Sequence, residues 1–295
     1  FDFFVGESTL NMRAIDKIEP FNTAREITRQ LPHAGSSIAT FQSRVLGLRF
    51  PKIMFKWPIF EEGKRSRILH KGHLFCLSSA LGSPVQDERM SLLYCNLDQG
   101  SSFDLFCDRI VGYEGPTFIV VQSSRGSIFS CWSGSTTWKL SSAYYGSSSA
   151  CLMAFEPTFR VLRPRLAAGA AKNFMYLNSK HKNSPKGVGF GGDKDYFRVF
   201  LSSTLNKAVA RRSGMTFDRG GLVREDEEAS VVPTIIEIWG FGGSRGIESL
   251  KARQEQDTKF RKSRRQVDKA QLMEGGCADL LFEKTLRHRQ EVNER

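Results

Sequence analysis

Between Met90 and Gly240 the chain is cut into short apolar runs separated by glycine, serine, asparagine and aspartate, and this grain limits its fold more than any other feature. The runs are Ser91 to Cys95, Thr117 to Gln122, Ser127 to Trp132, Ala150 to Phe155, Asn173 to Leu177, Tyr196 to Leu201 and Thr234 to Trp239. Each has the length of a strand, and β-branched and aromatic residues are frequent in them. Strand candidates at this spacing predict two antiparallel sheets packed as a sandwich. Ser124-Arg125-Gly126-Ser127 separates two of the runs and reads as a hairpin turn, with Gly126 supplying the positive φ, so the flanking strands are expected to pair antiparallel. Helix is credible locally at Ser102 to Ile110, where Phe103, Phe106 and Ile110 share a face. Glu225 to Glu228 reads as an acidic loop insert.

The flanks have a different character. Residues 1–65 mix a short helical pattern with Pro20, Pro32, Pro51 and Pro58, which interrupt any long helix. The chain begins with Phe1 rather than Met, as a processed protein or a piece of a longer one would. Ser66 to Leu81 is a better helix, with Leu69, His73, Cys76, Leu77 and Ala80 at helical spacing and Gly82 and Pro84 ending it. After Gly240-Phe241-Gly242-Gly243, the stretch Ile247 to Met273 has neither proline nor glycine and predicts a helix of several turns. Gly275-Gly276 breaks it, and Ala278 to Val292 begins a second short amphipathic helix. The expected organisation is therefore a helical segment over 1–65, a strand-rich domain over 66–243 and a basic helical extension over 244–295. The fold class is α+β.

Lys plus Arg number 43 against 31 Asp plus Glu, a net charge of +12, which points to nucleic acid, anionic lipid or an acidic protein as partner. The excess is concentrated in the long helix, where Lys251, Arg253, Lys259, Arg261, Lys262, Arg264, Arg265 and Lys269 face only Glu255, Asp257 and Asp268. These residues lack the interleaved aromatics of a single-strand nucleic-acid platform, so no specific nucleic acid is expected. The apolar runs are far below the ~20 residues that cross a bilayer as a helix. The six cysteines form no Cys-x-x-Cys pair and the chain has no Asn-x-Ser/Thr site, so free thiols in a reducing compartment are expected.

Three local patterns imitate chemical motifs. Gly187 to Gly192 satisfies G-x-G-x-x-G, but a dinucleotide site needs a strand before it and a helix after it, whereas Tyr196 to Leu201 alternates like a strand; the stretch reads as a tight glycine turn where backbones approach closely. His70 and His73 stand at a spacing that can reach one metal, with no third ligand evident nearby in sequence. Ser147 to Ser149 lacks the strand-to-helix switch of a nucleophile elbow, and Cys131 and Cys151 lie inside predicted strands, where a cysteine is ordinarily a small buried hydrophobe. No catalytic, cofactor-binding or metal-binding set is expected.

Taken in order, the segments from about Ile68 to Gly243 resemble the TLDc domain family. The series consists of Ser91-Leu92-Leu93-Tyr94, then Gly100-Ser101-Ser102-Phe103, then Gly115-Pro116-Thr117 before an aliphatic strand, then Trp138 with the Tyr145-Gly146 pair. Asn173-Phe174-Met175-Tyr176-Leu177-Asn178 follows, then the stretch containing Gly189, Gly191 and Gly192, and last Glu237-Ile238-Trp239. Departures from the family wording are Ser130 and Ser147, where the family has a glycine and an acidic residue, and the lengthened loop Arg224 to Ala229. The charged helix after the domain looks most like that of the lysosomal, mTOR-associated members, whose extra helix reaches into the vacuolar-type proton ATPase.

The resemblance implies a two-sheet antiparallel β-sandwich flanked by helices, with a long C-terminal helical extension, no catalytic centre and no cofactor. It further implies a partner in the peripheral-sector subunits of the vacuolar-type proton ATPase, indirect membrane association, and a cytoplasmic location at the cytosolic face of acidic organelles. The residues expected to meet that partner are Lys251, Arg253, Lys259, Phe260, Arg261, Lys262, Arg264 and Arg265. Two other readings stand beside this one: a structural component of a ciliary or cytoskeletal microtubule assembly, since a basic helix also suits acidic tubulin, and a thiol enzyme of oxidative defence, which rests only on the family's protective phenotype.

Overall fold

The computed structural model of the chain describes residues 58–85, 89–165, 172–193 and 196–274. Most of the expected N-terminal segment, and the short helix expected over Ala278 to Val292, lie outside these residues. Along the chain run β1 (Ile59–Phe60), α1 (Lys71–Leu81), β2 (Arg89–Cys95), the single turn α2 (Asn96–Gln99), α3 (Phe103–Ile110), β3 (Thr117–Ser123), β4 (Ile128–Trp132), β5 (Ser141–Tyr145), β6 (Cys151–Glu156) and β7 (Arg160–Leu162). Then come β8 (Met175–Asn178), β9 (Gly187–Asp193), β10 (Tyr196–Ser202), β11 (Ala208–Ala210), a 3-10 turn (Glu225–Glu227), β12 (Pro233–Gly240) and α4 (Gly243–Glu274).

The strands form a seven-stranded sheet in the order β1-β2-β12-β3-β4-β6-β7 and a five-stranded sheet in the order β11-β10-β9-β8-β5. The fold is mixed α+β with two sheets, as the sequence implies. Pairing is antiparallel within both sheets except at the edge, where β1 runs parallel to β2. Side chains of β3, β4 and β6 are buried on both faces. Ile119, Val121, Phe129, Cys131, Leu152 and Ala154 share one apolar core with Leu177, Val188, Phe190, Val199 and Leu201 of the second sheet. Phe118, Val120, Trp132, Met153 and Phe155 share another with Leu74 and Leu77 of α1. A sheet covered on both sides needs continuous apolar runs rather than alternation, which is why these strands are plain in the sequence.

The Gly126 hairpin is formed as expected, with Gly126 at φ +83° and β3 antiparallel to β4. Ser102 caps α3, its Oγ accepting the Leu105 N–H. Other expectations need correction. Gly187 to Gly192 is not a turn but most of β9, paired with β8 and β10; at Gly189 a Cβ would lie 2.5 Å from the Phe197 ring, so the neighbouring strand's aromatics fill the volume that β9 leaves free. The helix expected from Ser66 starts at Lys71, because the Ser66 hydroxyl accepts the Ile68 and Leu69 N–H groups and holds that stretch in a turn. The acidic insert contains a 3-10 turn whose Glu227 is buried, and the Ser127 hydroxyl of the hairpin donates to its carboxylate.

The chain divides into two units, Phe1–Leu250 and Lys251–Arg295. In the first, α4 begins four residues before the expected Ile247 and contains Gly246, with Leu250 buried and Ile247 packed against the core. In the second, residues 251–274 continue the helix, with an Arg253–Asp257 ion pair at 3.2 Å. No helix among the described residues is long and apolar enough to cross a membrane.

Candidate functional site

The residues of the motif series are spent on holding the sandwich together. Thr117, fully buried, begins β3; its backbone N–H and its hydroxyl both meet the Ser133 hydroxyl, at 2.8 and 3.1 Å, and the Trp138 indole N–H donates to Thr117 Oγ1 at 2.6 Å. Trp138 in turn meets the edge of Phe190 on β9 at 5.8 Å. Gly115, followed by Pro116, lies against Gly242, and Gly146 lies against Phe174 and Met175. Tyr145 accepts the Lys139 N–H, and burial pushes its phenol well above the usual range.

On the second sheet, Asn173 donates to the Gly192 carbonyl at 2.6 Å, and Gly191 sits between Phe217 and Arg198. Tyr176 donates to the Pro185 carbonyl at 2.6 Å and joins an aromatic group with Tyr144, Phe197 and Phe200. Asn178, the last residue of that motif run, closes the following loop by donating to the His181, Ser184 and Pro185 carbonyls and accepting from the Lys180 and His181 N–H groups.

Glu237 on β12 is a carboxylate only 1% exposed with three donors converging on it. Its Oε1 accepts the Arg67 N–H at 2.7 Å, and its Oε2 accepts the Ser66 hydroxyl at 2.5 Å and the Trp239 indole N–H at 2.9 Å. The charge is thus balanced by directed hydrogen bonds, and these tie residues before α1 to the central strand. Tyr113 was also missed. Fully buried, it fits against Gly240, Gly242 and Gly246, and its hydroxyl accepts the Gly242 N–H at 2.7 Å. The spaced glycines at the end of β12 were the available signal.

The expected partner residues occupy the other unit. Lys251, Lys259, Lys262, Arg264 and Arg265 are exposed and Arg253 is half-buried; Arg261 is on the helix but its side chain is outside the described set. Phe260 is 70% exposed and Val267 53% exposed, seven residues apart and hence on one face of the helix.

No disulfide joins the five cysteines among the described residues, and Cys277 lies outside them. Burial pushes the Cys151 thiol up to about 12 and Cys131 well above its usual value, and burial with the Glu156 charge raises Cys76 to about 12. These thiols stay protonated at neutral pH, the opposite of what a nucleophilic cysteine needs. The His70–His73 pair differs from its sequence reading, in which no third ligand was evident: β6 brings Glu156 to it, and the ligand atoms of the three residues lie within 4.8 Å of one another.

Comparison with known proteins agrees with this architecture. MTOR-associated protein MEAK7 of Mus musculus is 26% identical over 219 residues, covering 72% of this chain and 46% of that protein. Its counterpart in Xenopus laevis is 29% identical over 153 residues, covering 51% and 32%. Nuclear receptor coactivator 7 of Homo sapiens is 23% identical over 176 residues, covering 60% and 17%. The chain spans less than half the length of the curated relatives it matches. The TLDc domain profile matches residues 63–242, more than half of the chain and both sheets apart from β1, so the chain belongs to the TLDc domain family.

Proposed function

We propose that this TLDc protein is a non-catalytic binding module that associates with and regulates the vacuolar-type proton ATPase through its TLDc body, residues 66–243, and its basic C-terminal extension. The observation that carries the reading is the helix beyond Leu250, where exposed lysines and arginines surround an exposed Phe260 and Val267. A helix with an excess of positive charge and an exposed apolar pair gains most from a groove in an acidic partner. The motif residues of the body are already engaged with one another, and the buried thiols are held protonated, which favours a binding role over a catalytic one.

In this reading the body docks on the exterior of the pump's peripheral sector, the helix inserts between subunits, and rotation or assembly is biased. The protein acts at the cytosolic face of acidic organelles and reaches the membrane through its partner. The MEAK7 relatives are named for association with mTOR, and a partner from the mTOR machinery is part of the proposal.

The test is affinity capture of the full chain from cytosol and membranes at moderate salt, with partners identified by mass spectrometry and proton pumping measured in parallel. A variant lacking 251–295 is the proper comparison, because Ile247 and Leu250 belong to the body's core. Pump subunits captured by the full chain and lost with the extension support the proposal. Unchanged capture and pumping in the truncated chain sink it. Recovery of tubulin in place of pump subunits would favour the microtubule reading, and loss of oxidative protection on replacing individual cysteines by serine would favour the thiol enzyme.

A further inference from the structure

His73 is a buried residue without a settled role. Its side chain is 5% exposed, and among the described residues neither ring nitrogen has a hydrogen-bond partner. A neutral imidazole carries one donor and one acceptor, and leaving both unpaired away from water is costly. Among the described residues the groups around it are few. The His70 ring stacks on it with centroids 3.6 Å apart and planes at 30°, and Phe155 lies 5.0 Å away on the other element. Glu156 Oε1, at the end of β6, is 3.8 Å from His73 Nε2, too far for a hydrogen bond. The Ile68 carbonyl is near enough to favour the protonated ring without meeting hydrogen-bond geometry.

We propose that His70, His73 and Glu156 bind a divalent transition metal of the zinc type, joining the first turn of α1 to the end of β6. The ligand atoms lie within 4.8 Å of one another. A tetrahedral set with bonds of 2.0–2.1 Å has ligand–ligand edges of about 3.3 Å, so a modest closure of the side chains completes the geometry. Burial, with His70 adding to it, lowers His73 to about 4, so it is a neutral imidazole at physiological pH, the form in which a metal binds it. Two nitrogens and one carboxylate suit zinc and its neighbours better than the all-oxygen shells of magnesium and calcium. Cys76 senses the Glu156 charge but is not among the three converging residues, and its thiol is protonated. His70 is exposed and the Glu156 side chain is 25% exposed, so water reaches the remaining coordination position.

Metal binding is coupled to the helix start. His70 Nδ1 now accepts the Gly72 N–H at 3.1 Å and serves as the N-cap of α1. If Nδ1 ligates the metal, the cap is given up; if Nε2 ligates, the ring proton moves to Nδ1 and the cap is again lost. The ion therefore replaces a capping hydrogen bond with a cross-link between helix and sheet.

The experiment uses the full chain stripped of metal with a chelator and titrated with zinc chloride in competition with a chromophoric chelator. Thermal melts and two-dimensional imidazole nitrogen spectra are recorded alongside. One equivalent of zinc is expected to bind, to raise the melting temperature, and to shift the ring-nitrogen signals of His70 and His73. Since His73 is buried and its variants risk misfolding, the decisive substitutions are His70→Asn, which retains an N-cap acceptor, and Glu156→Gln, which keeps the shape of the side chain. Each is expected to weaken zinc binding at least tenfold, because loss of outer-shell partners alone costs about 10–100-fold. Saturable zinc binding that is undiminished in both variants, or no saturable binding by the parent chain, overturns the assignment.

Discussion

Gly246→Ala tests how the first turns of α4 are fixed, because two physical effects oppose each other there. On helix propensity alone, alanine should stabilise a helical position by about 0.8–1.0 kcal/mol relative to glycine. The site has no room for the methyl group. A Cβ at Gly246 would lie 2.6 Å from Tyr113 Cζ, 2.7 Å from Tyr113 Cε2 and 2.7 Å from the Glu114 carbonyl oxygen, against a comfortable carbon–carbon separation of about 3.5–4.0 Å. Tyr113 cannot retreat, since it is fully buried, is bounded by Gly240 and Gly242, and accepts the Gly242 N–H. Overpacking of this kind costs about 2–3 kcal/mol, and stretching the Gly242 hydrogen bond adds about 1 kcal/mol. The sum minus the propensity gain predicts a net loss of about 2–3 kcal/mol, which for a domain of this size lowers the melting temperature by about 5–10 °C. The assay is urea and thermal unfolding of the full chain followed by tryptophan fluorescence. In a Tyr113→Leu background the alanine should cost less, because two of the three atoms it strikes are gone and only the Glu114 carbonyl remains. Equal or greater stability of Gly246→Ala, or the same cost in both backgrounds, would refute the argument.

Glu237→Gln should destabilise the chain by about 2–4 kcal/mol in urea unfolding: the amide nitrogen would face a donor where an oxygen accepted one, and hydrogen bonds to a buried charge are worth about 1.5–3 kcal/mol each; a change below 1 kcal/mol would show the carboxylate is not the tether. Cys151 makes stability fall with rising pH. Below pH 9 both states are protonated; between 9.0 and about 12 the unfolded thiol ionises while the native one does not, which favours unfolding by about 1.4 kcal/mol per pH unit. Urea midpoints measured from pH 8 to 10 should drop for the parent chain and drop less for Cys151→Ala, and parallel alkaline limbs would contradict the assigned burial.

What was legible in the sequence follows from how each strand is covered. The strands buried on both faces, β3, β4 and β6, carry unbroken apolar runs and are plain. The strands that escaped notice have no such need. β5 is an edge strand with exposed Ser142 and Ala143 between half-buried Ser141 and Tyr144, and β7 and β11 have three residues each. β9 is hardest, since glycine is disfavoured in strands, and its place in the sheet depends on the rings of Phe197 and Phe200 supplied by the next strand. A property stored in the neighbour cannot be read from the segment itself. The same reasoning explains the late start of α1, where the Ser66 hydroxyl, fixed from a distance by Glu237, competes with helix formation.

The candidate sites divide along the same line. The basic residues of the extension were legible because their argument is local: charge and the absence of glycine and proline lie together in one stretch. Glu156 was not, since it shares no local pattern with His70 and His73 and meets them only because β6 lies in the sheet beneath α1. The motif residues lie between these cases. Their order and types identified the family, yet their chemistry is internal, with Thr117, Trp138, Asn173 and Glu237 each directed at another part of the fold. The body's most distinctive polar groups are committed inward, so if the proposed binding runs through the extension, variants of the two units should separate. Substitutions at Thr117 or Glu237 are expected to lower stability and partner capture together. Charge reversal at Lys259 and Lys262 with Phe260→Ser is expected to abolish capture with the melting temperature unchanged, and a loss of stability in that variant would contradict the division.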